Sequence, residues 1–403
     1  MLRRIARLPR QHRLLIALGA ALALGAAVGG VVVAAGGSHK AFPASARAQV
    51  SSAVLSSHVR DAELVTPSTG WALTTGLLRT TNGGAAWADI TPQGVDAARI
   101  RAVSFLDPSH GWVLTSREAA ANAVQLVAYR TTDGGRTWAA ADVGQPSAAQ
   151  ADAVASPASF AFTNPRRGWL STSLTSSAAF SRGELFSTSD GGATWKALTI
   201  PIGAPVEFQS VQDGWSAGGV GDGQLYVTHD GGTSWNEAHV SAPAGDEDAT
   251  VAYALPTFTS GRVGALPVTF AHGPQSELAW YRTDDGGRSW TLAKRFQLGQ
   301  AAEPGTAVPT ALSPDGAWIG ALGRGQRIGV VTNGGAGSSD RPTTGLPLTA
   351  DSAVVKLSYG SVNAGWALLR GSSCAQFKSG CSSYEALFRT TDGGASWSQI
   401  TPS

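Results

Sequence analysis

Six stretches of this 403-residue chain place an acidic or amide side chain five residues before a tryptophan, with two glycines directly after the acid. The pairs are Asn82 with Trp87, Asp133 with Trp138, Asp190 with Trp195, Asp230 with Trp235, Asp285 with Trp290, and Asp392 with Trp397. Five aspartates in a row suggest general acid–base chemistry, and glycoside cleavage needs two carboxyl groups facing one cleft about 5 to 10 Å apart. The local pattern points elsewhere. An Asp before Gly-Gly accepts hydrogen bonds from the N–H groups that a tight turn exposes, while the glycines supply positive φ. Such aspartates serve their own turns and cannot converge. The remaining acid candidates are Glu207, near an expected inner strand, and the run Asp246-Glu247-Asp248, which also fits solvated loop charge. The seven histidines are scattered, without the i, i+4 pairing of a zinc helix. The Gly-rich stretch Gly320–Gly329 lacks the Lys-Ser/Thr ending of a phosphate loop and reads as a hairpin. No catalytic residue, cofactor or metal ligand is assigned.

Repetition organises the rest of the chain. The turn unit recurs every 40 to 59 residues, the mark of a repeat architecture, with a worn seventh copy at Asn333-Gly334-Gly335. A second signature precedes each turn: an apolar residue followed seven positions later by Trp. Its copies are Leu64 with Trp71, Phe105 with Trp112, Phe162 with Trp169, Phe208 with Trp215 and Tyr359 with Trp366, with degraded forms at Phe258/Ala265 and Ala311/Trp318. Turn formers such as Asp107-Pro108-Ser109-His110-Gly111 fill the interval, so each copy predicts a hairpin of strands A and B. Strand C carries Tyr129, Phe186, Tyr226, Tyr281 or Phe388 four residues before the turn Asp, and strand D starts at the turn Trp. Twelve of the thirteen tryptophans fall in these two signatures, and Trp280 fills a strand C slot taken by leucine elsewhere. They therefore read as packing residues rather than a sugar-stacking platform. A four-stranded meander cannot bury both faces alone, whereas seven stacked radially can.

The turn unit T-x-D-G-G-x-[ST]-W resembles the Asp-box, or BNR, repeat of sialidases, xyloglucan-degrading glycosidases, sortilin-type receptors and photosystem II assembly factors. In that family it joins the third and fourth strands of β-propeller blades. The resemblance covers residues 61–401 and implies an all-β, seven-bladed propeller of four-stranded antiparallel blades. It implies either a binding or scaffold module for a protein or glycan, or a glycoside hydrolase. A sialidase would need a Phe/Tyr-Arg-Ile-Pro entry motif, and neither Arg99-Ile100 nor Arg327-Ile328 is followed by Pro.

The first 13 residues hold five arginines and no acid, and residues 14–35 hold no charge. An apolar run of this length spans a bilayer core, and its basic flank orients the N-terminus to the cytoplasm. The expected organisation is a basic tail (1–13), a transmembrane signal-anchor helix (14–36), a stalk (37–60) and an extracytoplasmic propeller (61–403). Cleavage after Val33-Ala34-Ala35 would secrete the same domain. Without the five tail arginines, 25 basic residues face 28 acidic ones, which disfavours nucleic-acid binding. Cys374 and Cys381, the only cysteines, fall in one loop of the last blade and predict a disulfide in an exported protein. The A–B turns and Asp-boxes make one face nearly invariant. The partner is accordingly expected on the opposite face, which carries the B–C loops 117–125, 173–183 and 371–383 and the D–A crossings 143–156 and 241–250. The propeller is expected to be monomeric. Ring closure by face packing, or by a strand from residues 47–58, is left open.

Overall fold

The computed structural model describes residues 58–403 except 120–122, 148–156, 175–180, 260, 274, 301–306, 323–326, 333–336, 349–351 and 375–380. The expected membrane helix and most of the stalk lie outside the described residues, as does the worn turn at Asn333. The described residues form seven antiparallel meanders, each paired in the order A-B-C-D. The A strands are Asp61–Leu64, Ala102–Phe105, Ala158–Phe162, Val206–Phe208, Thr250–Tyr253 continued by Thr257–Phe258, Thr310–Leu312, and Ser352–Tyr359. A strands of neighbouring blades touch, as Ala102–Phe105 touches Ala158–Phe162, so they form the innermost ring.

The repeated residues act mainly between blades. Phe162 closes the hairpin of its own blade opposite Gly168. Its ring stacks on Trp112 of the preceding blade, 3.4 Å between centroids. The edge of Trp195, the turn tryptophan of its own blade, meets the same ring at 6.3 Å. The strand B tryptophans Trp71, Trp112, Trp169, Trp215 and Trp366 are at most 1 % exposed. Of the turn tryptophans only Trp397 is fully buried; the other five are half-buried. Blade 6 departs from the expected pattern. Leu312, not Ala311, closes its hairpin, directly opposite Trp318. A one-residue slip reverses the facing of side chains, and Trp318 accordingly stacks on Trp280 of blade 5 instead of packing against blade 7.

Among the described residues the ring closes partly by pairing, at a residue ahead of the expected start at 61. His58 bridges Glu385 on strand C of blade 7 in parallel, and Val59 is fully buried against Trp366 and Leu387. The seam is completed by the Leu64 amide donating to Ser358 Oγ (2.9 Å), an Arg389 hydrogen bond to the Gly83 carbonyl (3.0 Å), and the Lys356–Asp61 ion pair (2.8 Å). In blade 7 the backbone sets Cys374 directly opposite Cys381 at the end of the B–C hairpin. Their side chains lie outside the described residues. The stretch 143–147, expected as crossing, continues strand D of blade 2, Ala139–Ser147. The Gly320–Gly329 region is the expected hairpin, Trp318–Leu322 against Arg327–Thr332.

Candidate functional site: a groove between blades 1 and 2

The turn aspartates are structural. In blade 2 the Thr131 hydroxyl donates to Asp133 Oδ1 (2.8 Å) and accepts from the Gly135 amide (2.8 Å). Asp133 also accepts from the Thr137 amide (2.9 Å) and hydroxyl (2.6 Å), while Gly134 and Gly135 hold φ of 75° and 91°. Asp190, Asp230, Asp285 and Asp392 repeat the arrangement. Hydrogen bonds to the ionised form depress a carboxyl. Those from Thr137 hold Asp133 at about 2, those from Ser234 hold Asp230 at about 2, and those from Ser289 hold Asp285 lower still. Asn82 keeps the acceptor role through the Thr80 hydroxyl and the Ala86 amide. None of these groups is available as an acid or base at neutral pH.

Two strand A glutamates sense each other's charge, and only one of them was anticipated. Glu207 lies opposite Trp215 on strand A of blade 4, and Glu63 lies opposite Trp71 on strand A of blade 1, so register sets both at one height. Glu207 is half-buried, and desolvation by its packed surroundings pushes its carboxyl up to about 7, with the charge of Glu63 adding to the shift. Desolvation also raises Glu63, with the Lys356 ammonium 4.0 Å away opposing the effect. Glu63 and Lys356 were missed from the sequence. The available signal was a charge at a strand A position where other blades carry Ser104, Ala161 or Ser358.

The run Asp246-Glu247-Asp248 divides by role. Asp246 is not a solvated loop charge: it is 5 % exposed and ion-paired with Arg295 (2.7 Å), which also grips Glu277 at 2.6 and 2.8 Å. His272 and Gln297 complete the cluster at 3.0 Å from Asp246 and 2.9 Å from Glu277. Burial raises Glu277, and Arg295 counters it. The cluster fastens the crossing between blades 4 and 5 onto the face of blade 5. Glu247 caps the Gly245 amide (3.0 Å), and Asp248 is exposed.

The same face of blade 2 is open. Two cavities of about 850 and 710 Å³ both reach Tyr129 on strand C. Toward the Asp-box end the walls are Arg79, Trp87, Asp89, Gln93, Arg136 and Trp138. Toward the loop end they are Asp96, Arg99, Thr115, Arg117, Val127 and Asp142. Strand lengths leave this face for the crossing to cover, as they do between blades 4 and 5, where strand D of blade 4 is the two-residue Asn236–Glu237. Strand D of blade 1 is the two-residue Ala88–Asp89, whereas strands B, C and D of blade 2 run 8, 8 and 9 residues. A short outer strand cannot cover a tall neighbour. Each carboxylate of the groove is held by the protein: Asp89 by the Thr91 amide (2.7 Å), Asp96 by the Ala98 amide (2.9 Å), and Asp142 by Arg117 (2.7 Å).

No protein-family model and no curated protein sequence matches the chain. Among solved structures, a YCF48 bound to a D1 peptide is 16 % identical, with a TM-score of 0.41 over 87 % of this chain and 88 % of that one. YCF48 from Cyanidioschyzon merolae is 14 % identical, with a TM-score of 0.42 over 74 % and 84 %. The GH74 enzyme of Niastella koreensis is 15 % identical, with a TM-score of 0.32 over 84 % of this chain and 62 % of that one. A peptide-bound protein and an enzyme thus stand side by side, and the comparison selects neither class of activity.

Proposed function

We propose that this chain is a membrane-tethered, extracytoplasmic β-propeller that binds a protein partner without catalysing a reaction. One observation carries the reading: the groove between blades 1 and 2 is walled by Trp, Tyr and Arg, and each of its carboxylates is already held by the chain. Those three residue types dominate the energetics of protein–protein contacts, and engaged carboxylates are poor proton shuttles. The loop end of the groove opens where the D–A crossing and Arg117 meet, on the face whose loops vary most between blades. The uncharged run 14–35 behind a basic tail supplies the tether.

The test is saturable recovery of a partner by the full-length chain from its own membranes, with the purified partner then titrated against the purified chain. Binding without hydrolysis supports the reading. A second reading, a glycoside hydrolase, is favoured by Glu207 and Glu63 on their A strands, since a carboxylic acid kept protonated near neutrality is the profile of a general acid. Release of reducing ends from sialosides or xyloglucan oligomers that Glu207→Gln abolishes would replace the first reading by this one.

A further inference from the structure

We propose that the groove between blades 1 and 2 docks an extended acidic segment of a partner polypeptide, which lies over Tyr129 as this chain's own residues 238–249 lie over Tyr281 on blade 5. The inference rests on the binding reading and specifies its site and ligand.

Blades 2 and 5 present the same face. Tyr129 stands four residues before Asp133, and Tyr281 stands four before Asp285. Val113 pairs with Tyr129 as Leu266 pairs with Tyr281. Both blades are tall, with strands B, C and D of 9, 9 and 10 residues in blade 5. What differs is how the connection lies over the face, not its length: residues 90–101 and 238–249 are equal in number, and the extra residues before Phe258 belong to the interrupted strand A of blade 5. On blade 5 the crossing packs Ala238, Val240, Ala242 and Ala249 against the sheet. Tyr281 is only 2 % exposed beneath it and donates its hydroxyl to the Ser241 carbonyl (2.6 Å), while Arg295 takes the carboxylate of Asp246. The chain thus displays what fills such a face: an extended backbone offering a carbonyl to the tyrosine, small apolar side chains, and an acid. On blade 2 Tyr129 is half-buried and borders both cavities.

Charge selects the ligand. Four arginines and three aspartates line the groove, and Arg117 already holds Asp142. At the Asp-box end Arg79 and Arg136 both line the larger cavity. Among the described residues neither is ion-paired, and the charge of Arg136 adds to burial in disfavouring the Arg79 cation. A ligand carboxylate between them would relieve that repulsion.

Random dodecapeptides displayed on phage are panned on the full-length chain, and the enriched peptide is synthesised and titrated. Two variants leave the buried core untouched: Arg136→Glu inverts the charge at an exposed turn position, and Ala140→Trp fills the groove from an exposed strand D position. The expected result is enrichment of acidic peptides whose affinity falls about tenfold in either variant and also falls with salt. No enrichment, neutral winners, or binding indifferent to both variants would overturn the inference. So would binding to a glycan array that both variants abolish. Membrane-partner recovery that survives both variants removes this groove as the site but leaves the binding reading standing, whereas loss of recovery in both variants supports the groove.

Discussion

The indole of Trp169 lies flat on the ring of Phe208 in the next blade, centroids 3.5 Å apart and planes 1° from parallel, while its Nε1 donates to the Gly231 carbonyl at 2.9 Å. One side chain therefore joins two blades through a stacked face and a hydrogen bond into the neighbour's Asp-box turn. Trp169 is fully buried, whereas Trp138 in a turn is half-buried.

Trp169→Ala should therefore cost about 3 to 5 kcal/mol, the range for emptying a large buried aromatic site. Trp138→Ala should cost less, roughly half as much, because less apolar surface leaves water at that site. Denaturant unfolding of both variants gives the order. A larger loss at Trp138 would mean that the turns, not the inter-blade stacks, hold the ring.

Much of this architecture is written locally, and what is not local was hidden. The Asp-box is eight residues long and its Thr and Asp side chains make their hydrogen bonds within it, as Thr131, Asp133 and Thr137 do, so its turn geometry could be read without tertiary context. The facing of Trp318 could not. Spacing from Ala311 looked regular, and only cross-strand register shows the hairpin displaced by one residue. Arg295 and Asp246 are 49 residues apart, and nothing near either announces the other. The groove depends on how the crossing 90–101 lies against a tall blade, since the crossing 238–249 of the same length covers Tyr281 on blade 5, and such a difference is tertiary rather than local.

Glu207 should make stability depend on pH. An unfolded glutamate titrates near 4.3, and desolvation raises the folded group to about 7. The folded state then holds the proton more tightly, so this contribution is fully present below about 4.3 and is lost as pH rises through about 7. The turn aspartates run the other way. Held near about 2, they stabilise above the unfolded value of about 3.9 and lose that contribution as pH falls through about 2. Melts of the wild type and Glu207→Gln should diverge in favour of Gln between about pH 5 and 8. A gap that stays constant across that window would refute a desolvated, proton-binding Glu207.

If the propeller is exported as proposed, Cys374 and Cys381 should be linked, because the backbone sets them opposite each other at the end of one hairpin. Closing so short a loop contributes about 2 kcal/mol at most. Non-reducing peptide maps of protein from the cell envelope should show one linked peptide pair. Two free thiols in that sample would dismiss the crosslink.

The ion cluster on blade 5 should act as a clasp. Among the described residues the Arg295 cation bridges Asp246 and Glu277, which are 5 % and 4 % exposed. Arg295→Met removes it and leaves two buried carboxylates facing each other. Breaking a buried ion pair on one side costs about 3 to 5 kcal/mol. One of the two acids can escape by taking up a proton, so the loss should be greatest well above the ordinary carboxylate range and should shrink in acid. The crossing 238–249 should release first, since Asp246 is its charged anchor and the Tyr281–Ser241 hydrogen bond its nearest companion. Hydrogen exchange at neutral pH should therefore rise in 241–249 before it rises in the strands of blade 5. Uniform exchange across the blade would show that the crossing is held by its apolar contacts alone. The double change Asp246→Asn with Arg295→Met should recover part of the lost stability, because only one buried carboxylate is then left to satisfy.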